Sequence, residues 1–355
     1  AGHAMTTAIY NTIVGYQAGD ALTIGNQNVA IGYEALSTSV DGDHNVAVGY
    51  AALQDYEDGD GNGFNTAVGS QSQANAITGE FNTSLGALSM GAGVTTGNYN
   101  VAIGNEAGND LTSGNRNTFV GYRAGFELTT SASNTGVGYN ALKNSLNCNY
   151  NTALGDGALT TNVDGDANTA VGFESLYTLE PADGLSYNTA VGYHAGRLMS
   201  TGAQNALIGG LAGAALTTGE NNTFMGYATG DAQTIGSYNT AMGHAALSVN
   251  VAGNKNVAVG NNALWAMTAA TSTDTFNTAV GFSAGAAVTT GVQNTIVGGL
   301  AGDALTEGNY NILIGYGAGG ALTTGDRNVA IGRDALKTED ANGWNVAVGY
   351  SALAT

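Results

Sequence analysis

The amino-acid sequence predicts an all-β fold, a parallel β-solenoid (β-roll) of about 20 rungs of mostly 17 residues. The pentad Asn-x-x-(aliphatic)-Gly recurs twenty times between residues 11 and 349, and fifteen of the nineteen spacings are 17 residues. No pentad contains a charged residue, although charged residues make up 10% of the chain. Glycine accounts for 56 of the 355 residues, whereas Pro and Cys occur once each. These features indicate a repeat protein rich in turns and without a disulfide framework.

Each pentad is predicted to be a short β-strand, because five residues are too few for a helix and Thr, Val and Ile favour strands. Strands repeated every 17 residues stack in parallel about 4.8 Å apart, and each rung contacts only its neighbours. The connectors between pentads carry all 27 acidic and all 8 basic side chains, so they are expected to face water. Ala predominates three residues after the pentad Gly, which predicts a second strand packed close to the first.

The invariant residues of the pentad are predicted to have structural roles. The pentad Asn is expected to form an amide ladder in which each side chain bonds the next rung. The pentad Gly is expected to lie where the rungs pack tightly. The ladder includes Asn11, Asn28, Asn45, Asn188 and Asn205, with Gly15, Gly32, Gly49, Gly192 and Gly209.

Two rung types differ at position 9, when the residues of a rung are numbered from the pentad Asn as position 1. Position 9 is mostly Gly or Leu, and bulky side chains occur at position 3 only where position 9 is Gly. The bulky residues are Ile13, Phe119, Leu207, Phe224, Ile296 and Leu313. Close packing demands such volume compensation, so positions 3 and 9 are expected to touch.

Strand alternation places positions 2 and 4 on one face and positions 3 and 5 on the other, and both faces are apolar or small. One face can line the interior of the rung. The other face must be covered from outside the rung, and we expect copies of the chain to cover it by associating side by side. A wider, three-sided rung that buries both faces by itself is the alternative.

A longer period predicts how the rungs are organised. The spacing from Asn188 to Asn277 is five rungs, and it recurs from Asn256 to Asn345. The sequence thus predicts one solenoid domain, 1–355, made of an irregular part, 1–187, and two five-rung blocks, 188–276 and 277–355.

Pentads such as NVAIG, at 28–32, 100–104 and 328–332, occur with a small residue three positions on and with TG turns in the connectors. These repeats resemble the YadA-like head repeats of trimeric autotransporter adhesins and similar repeats of phage tail fibres and other extracellular fibres. The resemblance implies a left-handed parallel β-roll, side-by-side association of three chains, and a non-enzymatic role at the cell surface or outside the cell.

The expected function is that of a non-enzymatic extracellular structural protein, the subunit of a self-assembling surface fibre or filament. Besides lateral packing, end-to-end stacking is expected, because the segments before Asn11 and after Gly349 form no polar cap. A trimeric adhesin head or the receptor-binding shaft of a phage tail fibre is the alternative. Ice binding is a third interpretation, but acidic rungs interrupt the Thr pairs of LTTG at 216–219 and 322–325. The expected partner is therefore the chain itself, with carbohydrate or a cell-surface receptor as further candidates.

Composition and motifs disfavour other classes of function. The formal net charge of −19 disfavours nucleic acid, whose phosphates bind clustered cations. No stretch approaches the ~20 apolar residues of a transmembrane helix. GFSAG at 281–285 and GYGAGG at 315–320 imitate catalytic and nucleotide-binding motifs, but both are copies of the rung motif. Neither an enzyme nor an organic cofactor is expected.

One connector resembles the start of a calcium-binding loop. In DGDGNG, 58–63, the oxygens of Asp58, Asp60 and Asn62 match the first ligands of such a loop, but its twelfth position is Gly69 rather than Glu. The sequence is consistent with a Ca²⁺ site and with a solvated acidic turn.

Aromatic residues often flank the pentad. An aromatic residue precedes the Asn in ten rungs, and Tyr often follows the Gly. Such rows could stack on sugars, contact partner chains, or pack at the corners of the rungs.

Overall fold

The computed structural model describes residues 1–57, 62–181, 184–269, 271–338 and 340–354. Within these ranges every regular element is a β-strand and there is no helix. Successive pentad strands pair in parallel and are mostly 17 residues apart. The predicted parallel β-solenoid is confirmed.

The chain divides into two compact units, and each is described by itself. The first comprises residues 1–174 and 180–185, and the second comprises residues 175–179 and 186–355. The organisation into one domain with two five-rung blocks stays a prediction.

Ten pentad strands stack in the first unit, and two short strands pair in its connectors. The pentad strands are β1 (Thr12–Val14), β2 (Val29–Ile31), β3 (Val46–Val48), β4 (Thr66–Val68), β5 (Thr83–Leu85), β6 (Val101–Ile103), β7 (Thr118–Val120), β8 (Thr135–Val137), β9 (Thr152–Leu154) and β11 (Thr169–Val171). The short strands are β10 (Gly165–Asp166) and β12 (Gly184–Leu185).

The second unit has the same construction. Its pentad strands are β13 (Thr189–Val191), β14 (Ala206–Ile208), β15 (Thr223–Met225), β16 (Thr240–Met242), β18 (Val257–Val259), β20 (Thr278–Val280), β21 (Thr295–Val297), β22 (Ile312–Ile314), β23 (Val329–Ile331) and β24 (Val346–Val348). Its short paired strands are β17 (Gly253–Asn254) and β19 (Thr273–Asp274).

Neighbouring strands pair in register. Thr12 lies opposite Val29, and in the second unit Leu207 lies opposite Phe224. Equivalent positions of successive rungs therefore form columns along each stack.

The core lies on the inner side of the strands, where position 3 is buried in every pentad strand after β1. A Cβ atom added to Gly125 would lie 2.6 Å from the ring of Phe119, and one added to Gly230 would lie 2.7 Å from the ring of Phe224. These glycines occupy position 9, so the predicted contact between positions 3 and 9 is confirmed.

The second half of the rung is a succession of turns, and the predicted second strand is wrong. Positions 7 and 9 adopt left-handed backbone conformations, as at Gln17 (φ 52°) and Leu36 (φ 51°), which an extended strand does not contain. This conformation costs a residue with a side chain ~1–2 kcal/mol. Leu36 is fully buried, and burial of a Leu side chain contributes ~1.5–3 kcal/mol, which offsets that cost.

Candidate functional site: the outer sheet face

The side chains at positions 2 and 4 point away from the core and form the outer side of each sheet. Position 2 is Thr in 12 of the 20 rungs and Val, Ile or Ala in the others. Position 4 is Val, Ile, Leu or Met in every rung, and it is buried in none of them. It is more than a third exposed in Val14, Ile31, Leu85, Leu154, Val191, Ile208, Met225, Met242, Val280, Ile331 and Val348. The rung does not bury both of its faces, so the three-sided alternative is wrong.

Two aromatic columns border this face. The post-Gly column is formed by the residues directly after the pentad Gly, and the pre-Asn column by the residues directly before the Asn. In the post-Gly column, the ring centroids of Tyr16, Tyr33 and Tyr50 are 5.3 and 5.5 Å apart. In the pre-Asn column, the rings of Phe64 and Phe81 are 5.1 Å apart. We call positions 2 and 4 together with both columns the outer face.

The rings within a column stack on one another. Their interplanar angles are 19° and 17° along the Tyr16 to Tyr50 stretch and 5° between Phe64 and Phe81. The ring faces are therefore covered by neighbouring rings, and the edges face outwards. An external sugar can stack on a ring face only where a column is interrupted.

Cations occupy some of the rungs that lack an aromatic residue. The Cζ atom of Arg327 lies 5.0 Å from the ring centroid of Tyr310 and 4.9 Å from that of Trp344. The Nζ atom of Lys255 lies 5.1 Å from the ring of Phe276. Cation–π attraction stabilises these contacts, so the pre-Asn column continues through Arg327.

The outer face is nearly free of negative charge. Of the 27 acidic residues of the chain, only Asp156 belongs to it, whereas Arg116, Lys255, Arg327 and Arg333 lie in its columns. The acidic side chains are confined to the connectors. Electrostatic repulsion between two such faces is therefore small despite the net charge of −19.

The pentad Asn side chains are buried and bond from rung to rung. The Oδ1 atom of Asn11 accepts a hydrogen bond from the backbone N–H of Asn28 at 2.8 Å, and the Nδ2 of Asn28 donates to the carbonyl oxygen of Gly42 at 2.7 Å. Asn205 repeats this geometry with Asn188 at 3.0 Å and Gly219 at 2.9 Å. These amides thus satisfy a strand and a connector, which is a structural role. Asn45 is an exception, because its Oδ1 accepts from Asn65 but its buried Nδ2 has no partner among the described residues.

A second column of rung-to-rung hydrogen bonds lies two residues before the pentad Asn, and the sequence reasoning missed it. There a side-chain oxygen accepts the backbone N–H of the preceding rung. Its members are Asn26, Asp43, Asn98, Asn115, Asn149, Asp166, Ser237, Asn254, Asn309 and Asp326. The recurrence of Asn, Asp or Ser at this position was the available signal.

The candidate calcium ligands are only partly described. Asp58 and Asp60 lie outside the described residues, and Asn62 is exposed. Across the part of the chain that the structure describes, no group of three or more His, Cys, Asp or Glu side chains could hold a metal ion. The Ca²⁺ site stays a prediction.

The connector Thr hydroxyls donate hydrogen bonds along the stack. The Oγ1 of Thr217 donates to the carbonyl oxygen of Thr234 at 3.0 Å, and that of Thr323 donates to the carbonyl oxygen of Asp340 at 2.7 Å. These two hydroxyl protons are engaged along the stack, whereas Thr218 and Thr324, the second residues of the two pairs, are exposed. The ice-binding interpretation stays a prediction.

The single cysteine is not an activated nucleophile. Cys148 is fully buried, and burial raises the pKa of its thiol to about 12. The reactive thiolate is therefore scarce at neutral pH.

No family model, curated protein or solved structure matches the chain. Among the residues that the structure describes, none forms a helix long and apolar enough to cross a membrane.

Proposed function

We propose that the chain is a non-enzymatic extracellular structural protein, a β-solenoid subunit that self-assembles into a surface fibre or filament. The observation that carries this proposal is the uncovered outer face, on which an aliphatic column at position 4 and a column at position 2 that is mostly Thr stand between the two aromatic columns. Monomeric proteins rarely leave a large contiguous apolar surface exposed, and such surfaces mark interaction sites.

The size of the outer face fits a stable interface. Ten rungs at about 4.8 Å and a width of six residues at about 3.3 Å give a face of roughly 950 Å² in each unit. A standard stable interface buries about 800 Å² per partner. Because the face is nearly free of acidic residues, a second copy of the chain is a compatible partner.

The alternative function is an adhesin head or the shaft of a phage tail fibre. The resemblance of the NVAIG pentads to YadA-like head repeats supports it, and supports association of three chains at a cell surface. In both functions the contact surface between chains lies on the outer face.

The test introduces charge into the outer face of the full chain. We expect the triple variant Ile208→Lys, Met225→Lys, Met242→Lys to stay monomeric in analytical ultracentrifugation, while the wild type forms oligomers that electron microscopy shows as bundles or filaments. The control variant Thr201→Lys, Thr218→Lys, Ile235→Lys places the same charge on exposed connector positions and should assemble normally. A monomeric wild type, or assembly of the first variant, would refute the proposal.

A further inference from the structure

Two rungs interrupt the post-Gly column in the same way. Gly210 lies between the rungs of Tyr193 and Tyr227, and Gly299 lies between those of Phe282 and Tyr316. All four aromatic side chains are more than half exposed. The two glycines are separated by five rungs of the second unit. At each of them the column lacks one ring.

The backbone does not require glycine at these two positions. A Cβ atom at Gly299 would lie 3.6 Å from the nearest atom of Tyr316, and one at Gly210 would lie 3.4 Å from the nearest atom of Tyr227, which are ordinary contacts. Neither residue has a positive φ, unlike the adjacent pentad residues Gly209 and Gly298. The missing side chains leave space that the fold itself does not need to keep empty.

The space has the thickness of one ring. The flanking rings belong to rungs about 10 Å apart along the stack, so an inserted ring would lie ~5 Å from each of them. This spacing matches the 5.3 and 5.5 Å between Tyr16, Tyr33 and Tyr50 in an uninterrupted stretch. The far face of Tyr316 carries the Arg333 guanidinium, 5.7 Å from the ring centroid, which leaves the face towards Gly299 for a ligand.

Tyr316, on one side of the Gly299 slot, also lines a notch of about 350 Å³, a volume within the range of small-molecule sites. Tyr316 and Leu300 line it together with Asp303, Asp334 and Lys337. The notch exists because Gly317 and Gly320 place no side chains there.

The polar groups of the notch differ in their pairing. Asp334 is paired with Lys337 at 3.1 Å. Asp303 accepts backbone hydrogen bonds, has no cationic partner among the described residues, and is half-buried, which raises its pKa. A ligand with hydroxyl groups can donate to the carboxylates and accept from Lys337.

We propose that the Gly299 slot binds a neutral pyranose ring of an oligosaccharide between Phe282 and Tyr316, with its hydroxyl groups towards Asp303 and Lys337, and that Gly210 forms a second, weaker slot. A pyranose presents flat faces of C–H groups that pack on the negative faces of aromatic rings. An aromatic side chain of another copy would also fit between the rings, but it would offer no hydroxyl group to Asp303. A uronic acid would be repelled by the Asp303 carboxylate, which has no cationic partner among the described residues.

The test uses cellohexaose, a chain of neutral pyranoses, as the probe for the full-length protein. We expect saturation-transfer NMR to show binding, and Gly299→Tyr, which restores the missing ring, to weaken it about tenfold or more without lowering the melting temperature. Tyr316→Ala should have a similar effect, and the control Tyr139→Ala, in a rung away from both slots, should have none. Gly299→Tyr combined with Gly210→Tyr should abolish binding, and hexagalacturonate should bind at least about tenfold more weakly than cellohexaose.

Three outcomes would overturn the proposal: absence of transfer to cellohexaose, unchanged binding by Gly299→Tyr, or a lower melting temperature of that variant, which would show that the fold requires the glycine. If Gly299→Tyr instead reduced oligomer formation, the slot would receive a ring from another copy, and the sugar proposal would be wrong. The charged outer-face variants test assembly separately, so failure of either proposal is distinguishable.

Discussion

The inner and outer sides of a single strand differ sharply in how far their side chains are buried. In β15, Phe224 points inwards and is fully buried, whereas Met225, the next residue, is 40% exposed. Both are large and apolar. Their roles are nevertheless opposite, because the inner side chain meets the connector of its own rung, whereas the outer one lies at the surface between Ile208 and Met242 of the adjacent strands.

The comparison shows where the sequence is constrained. The residues at the inner positions of a rung restrict one another. Phe224 requires a Gly at position 230, because a Cβ atom on residue 230 would lie 2.7 Å from the Phe224 ring. On the outer side, position 4 is always aliphatic, but the post-Gly column varies more and contains residues as different as Tyr, Gly, His and Arg. Variation on the outer side can therefore change recognition while the stack is preserved.

The largest expected loss of stability follows from replacing a pentad glycine. In Gly209→Val the new Cβ would lie 2.7 Å from the carbonyl carbon of Gly226, at a φ of +134°. Steric overlap and backbone strain together should lower the free energy of unfolding by roughly 5 kcal/mol or more, measured by urea denaturation. The neighbouring Gly210→Ala, whose Cβ would make only ordinary contacts with Tyr227, should change it by less than about 1 kcal/mol. Equal effects would contradict the assignment of Gly209 to the inner contact between rungs.

The second-largest loss of stability is expected on the inner side of β15, and its outer side provides the comparison. Phe224→Ala removes a fully buried ring and should cost about 3–5 kcal/mol. Met225→Ala truncates the exposed neighbour and should cost less than about 1 kcal/mol in a monomeric sample. A large loss for Met225→Ala under those conditions would mean that the outer side is covered within the chain.

A smaller effect is expected at the ladder. Asn222 is buried, donates to the carbonyl oxygen of Gly236 at 2.9 Å and accepts from the N–H of Asn239 at 3.0 Å. Asn222→Ala leaves both partners unsatisfied and should cost about 2–3 kcal/mol, measured by thermal unfolding. Asn221→Ala is the matched control, because its side chain lies outside the ladder. If both variants lost the same stability, the ladder would not be the source of the stability.

Much of the inner side could be predicted from the sequence. The recurring Asn and Gly residues predicted where the strands lie. A large residue at position 3 occurs with a Gly at position 9, and this pattern predicted contacts such as that of Phe119 with Gly125, because closely packed positions must compensate in volume. The second strand was predicted wrongly, since small residues such as Ala35 signal close approach but not backbone conformation, and Leu36 beside it is left-handed.

The candidate site could be predicted only in part. The aromatic rows are visible in the sequence, but the stacking of Tyr33 between its neighbours, and the covering of its faces, depend on register. The sequence shows that Gly299 takes the place of a ring in the post-Gly column, but only the positions of the flanking side chains show whether a space opens there.

The sequence by itself determined the strands, their 17-residue period and the residues that stack, because each rung repeats one local pattern and contacts only its neighbours. Tertiary structure decided which apolar side chains remain exposed, which rings cover one another, and where an absent side chain opens a space. These properties depend on atoms from adjacent rungs meeting in three dimensions.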